Sequence, residues 1–485
     1  MDKVGRVIAR NSLFGIAGQL ALKLLSFAYS LAVIRQLGNE RFGEYSTVIA
    51  FVGILAVFAD FGMAGYAVRE IAKDRGRAAS LFANMVVLRL LLSAGVLVMN
   101  VILALALGYE LKMVGWIALA SVGLLLYAFQ GPTSIVLQGF EQIGYTSSYN
   151  VLNQTILIAV GALLLWQGWG VTGVIIASFF GIVFTAGLGW RTARRLTELP
   201  WRIDPGLWLS LIRASIPFGI TTFATMLSFK VDTILLSLWR SHAEVGWYNA
   251  AYNLIFSLMI LSSGFNSALV PSLSRQHQSD PASVAQFYIR SMRLLWTATL
   301  PIAVGITLLA HRVVALFYGP DYAPSGLALQ ILIWALPALT LTSLCGAMTT
   351  VLHRERSTAR VNIINATFNI TLNLWAIPRY GLLGAAVMTV VTELLGLIQY
   401  TLLLRDAFPL RTILSAFRAP LLAVAVMAGV ILLSWQLHVV VIIVGAALAY
   451  AVTLLVAGGL KVSELKQIVT TLIGAIAPQR MMASK

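Results

Sequence analysis

The feature that most constrains this chain is a succession of apolar runs, each about 20 residues long and nearly free of charge. A run of that length crosses the hydrocarbon of a bilayer as a helix. A helix also closes its own backbone hydrogen bonds, which lipid cannot do. About 14 such runs fall near 12–35, 43–63, 81–107, 114–138, 147–166, 171–190, 214–239, 246–271, 292–311, 326–352, 361–378, 382–404, 419–436 and 439–460. Composition agrees: 59% of the residues are hydrophobic and 11% are charged, where a soluble domain carries about a quarter charged residues. The expectation is an all-α integral membrane protein. The basic residues Lys3, Arg6 and Arg10 before the first run resemble the start of a signal peptide. That run is too long for one, holds Lys23 and recurs later in the chain, so it reads as a retained span.

Orientation follows from where the cations fall. With a cytoplasmic N-terminus, 25 of the 34 Lys and Arg residues lie in cytoplasmic segments, 6 on the opposite side, and only Lys23, Arg89 and Lys230 inside spans. Cytoplasmic loops carry this excess as a rule. The reading is therefore a multi-pass membrane protein with both termini cytoplasmic. The net charge of +16 is explained the same way, and no nucleic-acid partner is implied. The single cysteine, Cys345, forms no internal disulfide.

The chain repeats itself. Gly43 and Tyr45 match Gly246 and Tyr248 at a separation of 203; Phe14-Gly15 matches Phe218-Gly219 at 204. Thr146, Asn150, Asn153 and Thr155 match Thr358, Asn362, Asn365 and Thr367 at 212, and Gly170 and Gly173 match Gly381 and Gly384 at 211. About six spans separate the copies, and an even number makes the repeats parallel, a transporter architecture with its site between the halves. The expected domains are an N-terminal six-helix bundle over 1–195, an inter-lobe loop over 196–213, a C-terminal six-helix bundle over 214–407 and an extra helix pair over 408–460. An amphipathic cytoplasmic tail over 461–485 follows, with apolar residues from Val462 to Ile476 at helical spacing.

Charges inside spans are the candidate functional groups, because a mid-membrane cation costs roughly 2.5–3.5 kcal/mol on insertion scales. Lys23 lies about 18 Å from the interface at 1.5 Å per residue, beyond the reach of its stem. Lys230 is about ten residues from the end of its span. For Arg89, a turn and a half inside, snorkelling and cavity readings stand even. Asp232 and the lone carboxylate Glu393 are candidate ion-coupling groups. Asn362, Asn365, Asn369 and Asn373 share one helix face, either for interhelical hydrogen bonds or as a polar stripe toward sugar. Asp60, near a cytoplasmic helix end, is expected to pair with a loop arginine. No catalytic constellation, metal cluster or phosphate-binding loop ending in Lys-Ser or Lys-Thr occurs, so the chain reads as neither an enzyme nor an ATPase, with no cofactor.

Several motifs then resemble a known family. Phe42-Gly43-Glu44-Tyr45 and Ala59-Asp60-Phe61-Gly62-Met63, followed by Arg69-Glu70, resemble the second span of Wzx-type oligosaccharide flippases. Phe317-Tyr318-Gly319-Pro320-Asp321-Tyr322-Ala323, then Leu329-Gln330-Ile331-Leu332, resembles the loop before their tenth span. The resemblance to the polysaccharide transporter branch of the MOP exporter superfamily covers nearly the full length. It implies a V-shaped transporter of two six-helix bundles that flips undecaprenyl-pyrophosphate-linked oligosaccharide to the outer leaflet. Under it, Lys23, Lys230, Arg89, Asn362, Asn365 and Asn369 are substrate-binding candidates around a cationic central cavity. Partners would be the lipid-linked glycan, the bilayer, and a glycan polymerase or glycosyltransferases. A cation-coupled multidrug exporter of the same superfamily is the first rival, less suited to deep cations. A membrane enzyme of glycan polymerisation or ligation is the second, less suited to external loops of at most about 14 residues.

Overall fold

The computed structural model describes residues 3–259, 281–352, 354–406 and 418–458, with side chains from residue 22 onward apart from 217, 281–284, 286, 355–356 and 418. The expected tail helix, the side chains of Phe14-Gly15 and the end of the eighth apolar run lie outside the described residues. Within them the chain is helical and contains no strand. In order the helices are α1 (Lys3–Leu55), α2 (Val57–Asp60), α3 (Met63–Lys73), α4 (Arg77–Ala106), α5 (Leu111–Gly139), α6 (Ile143–Trp166), α7 (Gly170–Leu196), α8 (Gly206–Trp239) and α9 (His242–Leu258). They continue as α10 (Pro281–Tyr318), α11 (Ser325–Leu332), α12 (Ala335–Val351), α13 (Glu355–Leu404), α14 (Arg418–Leu433) and α15 (Val439–Val456).

Ten helical stretches among the described residues are long and apolar enough to cross a membrane, so this is a multi-pass membrane protein. Two of these, 22–73 and 357–404, are 52 and 48 residues long, more than twice what one crossing needs. Each turns at a glycine with non-helical backbone: Gly38 in α1 (φ 72°, ψ 172°) and Gly381 in α13 (φ 56°, ψ −134°). Residues with a Cβ rarely adopt such angles, so glycine at these two points lets the chain reverse between apolar runs with scarcely a loop. The tenth apolar run is divided into α11 and α12 by a turn at 333–334. Only 197–205 of the expected inter-lobe loop is non-helical; α8 already begins at Gly206.

The helices gather into two compact units, one of 22–250 with 362–388 and one formed by the described residues of 3–21, 251–361 and 389–458. In the first, Met63, Ala67 and Ile71 of α3 pack with Phe82 and Met85 of α4, Ile135 of α5 and Leu211 of α8 in one buried cluster. Lipid tails are as apolar as leucine, so helix association in a membrane relies on close packing and on small residues at interfaces. A Cβ on Gly139 would meet Ile71, one on Gly189 would meet Thr133, and one on Gly161 would overlap the Tyr29 hydroxyl. The irregular 197–205 segment is tied to this unit by Asn84. Its amide bonds the Arg202 carbonyl, and its carbonyl accepts from the Asp204 N–H and the Trp208 indole.

The second unit has its own core, with Tyr288, Met292, Leu295, Leu344, Cys345, Met348 and Tyr400 buried together. Cys345 lies 3.2 Å from the Tyr288 hydroxyl. The last pair, α14 and α15, packs against α10, where Tyr450 donates to the Thr297 carbonyl at 2.7 Å.

Candidate functional site

The repeat is visible as matching contacts inside the first unit. Gln36 Nε2 donates to the carbonyl of Leu165 at 2.9 Å. Arg240, 204 residues on, donates from Nε and Nη2 to the carbonyl of Ile377, 212 residues on, at 3.3 Å. These are the offsets of the sequence repeat. Leu165 stands in the last turn of α6, and Ile377 four residues before the turn at Gly381. Gly170 and Gly381, offset by 211, both have positive φ, 54° and 56°. At the second corner the ends of two helices are capped by opposite charges. Arg240 Nη2 also reaches the Pro378 carbonyl at 2.8 Å, and Glu244 accepts from the Leu382 N–H at 3.2 Å. A cation at a helix C-terminus and an anion at an N-terminus each suit the helix dipole.

The two copies also meet reciprocally. A Cβ on Gly43 would overlap the carbonyl of His242, and one on Gly246 would overlap the carbonyl of Asn39. Residues 39 and 43 correspond to 242 and 246 at the separation of 203, so each copy presents its glycine to the other's carbonyl. That is the pattern of an isologous two-fold contact.

A cavity of about 190 Å³ lies in the first unit, among α2, α4 and α5. Arg89 on α4 is 4% exposed, and its Nη2 lies 3.1 Å from Asp60 Oδ1. The guanidinium sits 5.4 Å from the Tyr127 ring centre. It also crowds Gly131, where a Cβ would overlap Nη1. Tyr127 and Gly131 are four residues apart on one face of α5, so the ring and the bare backbone together form the bed for the guanidinium. Asp60 therefore pairs with a span arginine, not with the loop arginine expected from sequence; the partner sits on a different helix, which spacing along the chain does not disclose.

The other sequence candidates lie elsewhere. None of them lines the Arg89 cavity. Lys23 is exposed on α1 and Lys230 half-buried on α8. Asp232 is 1% exposed and accepts from the Tyr248 hydroxyl at 2.5 Å. On α13, Asn362 and Asn365 are half-buried while Asn369 and Asn373 are buried. Glu393 is half-buried on α13 beyond Gly381 and belongs to the second unit. The two lysines are not repeat equivalents: 203 residues before Lys230 stands Phe27. Sequence reasoning missed Tyr127 and Gly131 as the bed of Arg89; the glycine-proline pair Gly131-Pro132 inside a span was the available signal. Among the described residues no group of three or more potential metal ligands occurs.

This arrangement, a duplicated helical membrane unit with polar groups held in its interior, is that of a membrane transporter. The "Polysaccharide biosynthesis protein" family model matches residues 8–277, and the chain belongs to that family. The MatE model matches residues 217–375. The chain is 21% identical over 373 residues to a probable low-salt glycan biosynthesis flippase of Haloferax volcanii, covering 74% of this chain and 75% of that one. It is 22% identical over 411 residues to a putative O-antigen transporter of Shigella flexneri, covering 78% and 93%. Among solved structures it superposes on the lipid II flippase MurJ in an inward closed conformation with TM-score 0.77 and 13% identity, covering 95% of this chain and 99% of that one. An inward-facing multidrug resistance MATE transporter superposes with TM-score 0.64 and 16% identity, covering 81% and 98%. The fold is that of the MOP superfamily.

Proposed function

We propose that this protein is a flippase that carries a lipid-linked oligosaccharide across the membrane by alternating access. The observation that carries the reading is the family match over more than half the chain, joined to relatives named for glycan flipping and O-antigen transport over about three quarters of it. The cargo is taken to be undecaprenyl-pyrophosphate-linked, and the membrane the plasma (inner) membrane, with 14 crossings and both termini cytoplasmic. Two six-span halves, 1–195 and 214–407, are taken as the moving bodies. On this orientation the Gly43–His242 and Gly246–Asn39 contacts close the outer side. Opening toward the outer leaflet then requires the two copies to part there.

In this scheme Lys23, Lys230 and Arg89 attract the anionic head of the cargo, and Asn362, Asn365 and Asn369 offer hydrogen bonds to sugar. Even at an effective dielectric of about 20, one charge pair at 4 Å is worth about 4 kcal/mol before desolvation. Asp232 and Glu393 are the ion-coupling candidates, and a glycan polymerase or glycosyltransferases are the candidate partners. The test is complementation of a flippase-deficient strain that makes the cognate glycan, with membrane protein levels measured alongside. Failure to restore surface glycan at normal membrane levels rejects the reading.

A second reading, export of cationic drugs, is favoured by the MatE match over 217–375 and the MATE structural neighbour. Raised drug resistance without restored glycan would select it.

A further inference from the structure

The ion pair between Arg89 and Asp60 is incomplete as chemistry. A guanidinium carries five N–H donors in a fixed fork, yet among the described residues Arg89 donates no hydrogen bond; its one polar contact is the misaligned 3.1 Å approach to Asp60 Oδ1. That oxygen is itself buried without a hydrogen bond. A buried charge in this condition forfeits several kcal/mol of solvation with little returned. Tyr127 and the Gly131 backbone lie against the guanidinium, and Arg89 lines the cavity. The remaining wall combines Ala56, Ala59 and Ala64, which leave room, with Leu124, Ile135, Gln138 and the hydroxyls of Ser93 and Ser134. Ser93 donates to the Leu124 carbonyl and Ser134 accepts from Gln138. Asp60 is 31% exposed, so its carboxylate can leave the pair without being stranded.

We propose that this cavity binds an oxyanion of the phosphate class, which takes the Arg89 hydrogen bonds that Asp60 leaves unmade. Arginine matches such groups bidentately, through two parallel N–H donors. A volume of about 190 Å³ is below the range of drug-sized sites, about 300–1,000 Å³, so the cavity admits a phosphate head and excludes a glycan chain. Asp60 is the internal competitor: it neutralises Arg89 while the cavity is empty and is displaced by the ligand. The lipid-borne source of the phosphate rests on the flippase reading; the site itself does not.

The test titrates the purified full-length protein with undecaprenyl phosphate, phosphatidylglycerol and inorganic pyrophosphate, with undecaprenol as the uncharged control. Binding is read by native mass spectrometry and by thermal stabilisation. At least one phosphate-bearing probe is expected to bind where undecaprenol does not, and which one does so identifies the source: carrier lipid, bilayer lipid or free oxyanion. Asp60→Asn, which removes the competing carboxylate, is expected to tighten binding about tenfold, and Arg89→Lys, which keeps charge but loses the fork, to weaken it about as much. Arg89→Gln alone leaves Asp60 unpaired and can unfold the protein. The double variant Asp60→Asn, Arg89→Gln has no orphan charge and is expected to fold and not bind. Wild-type protein that binds none of the probes, Asp60→Asn binding no tighter, Arg89→Lys binding as tightly as wild type, or retained binding in the double variant overturns the proposal. Complementation is scored separately: a wild-type protein that restores glycan but binds no probe sinks the cavity and spares the flippase, and one that binds without restoring glycan does the reverse.

Discussion

Gly43 lies against the backbone carbonyl of His242 so closely that a methyl group on it would overlap the oxygen. Its counterpart Gly246 meets the carbonyl of Asn39 in the same way. Two contacts related by one sequence offset are hard to obtain except from two copies of one unit facing each other about an axis.

Gly43→Val and Gly246→Val are each expected to hold that side open. The carbonyl opposite is backbone, and the added Cβ must push it away. Cysteine introduced at position 39 in a Cys345→Ser background should label faster with a membrane-impermeant maleimide in either variant. Glycan flipping should fall while membrane levels hold. Labelling unchanged from the parent would show that these glycines do not seal the contact.

The corner held by Arg240 and Glu244 is expected to matter for stability more than for transport. Each group makes a charge-assisted bond to backbone beside the turn at Gly381, so Arg240→Ala or Glu244→Ala should each cost about 1–2 kcal/mol. Gly381→Ala should cost about 1–3 kcal/mol, from its positive φ together with the overlap of the new Cβ with the Glu244 carboxylate. Thermal unfolding in detergent, compared with flipping activity, separates these losses from transport defects.

Much of this fold was legible in the sequence because lipid permits so few alternatives. The apolar runs become helices, and the offsets of 203–204 and 211–212 reappear as the hydrogen bonds of Gln36 and Arg240 to Leu165 and Ile377. What stayed hidden depends on pairing between distant positions. Nothing near Arg89 in the chain indicates that Asp60 is its partner, or that Tyr127 and Gly131 form its bed. The turn at Gly381 was likewise readable only as a gap between two runs. The four asparagines of α13 share a helical face in sequence, yet Asn369 and Asn373 are buried and Asn362 and Asn365 half-buried. Depth along a helix follows from neighbouring helices, which a periodic pattern does not supply.

Asp232 and Tyr248 provide a test of ion coupling. The Tyr248 hydroxyl is a donor to a buried carboxylate, so Tyr248→Phe removes about 1.5–3 kcal/mol of interaction with the charged form. If Asp232 exchanges the coupling ion, Tyr248→Phe should shift the pH or cation dependence of flipping and Asp232→Asn should flatten it. Glu393→Gln, in the other compact unit, is the parallel test for the second candidate. A variant whose activity falls equally at every pH and cation concentration has lost a structural contact, not a coupling site.

The lysines give the last prediction. Lys23 is exposed and Lys230 half-buried, and they occupy non-equivalent places in the two copies. A charge in a drier setting exerts a stronger field on an anion, so the two are expected to contribute unequally to an anionic cargo. Lys230→Ala should reduce flipping more than Lys23→Ala, and the double variant more than either, with each protein still present in the membrane. Arginine at either position keeps the charge but replaces a point ammonium with a planar fork, so Lys→Arg should retain part of the activity where Lys→Ala does not. The measurement is surface glycan per unit of membrane protein in the complemented strain. Full activity of the Lys23→Ala, Lys230→Ala double variant would remove both lysines from the attraction of cargo and leave Arg89 as the one remaining in-span cation of the sequence.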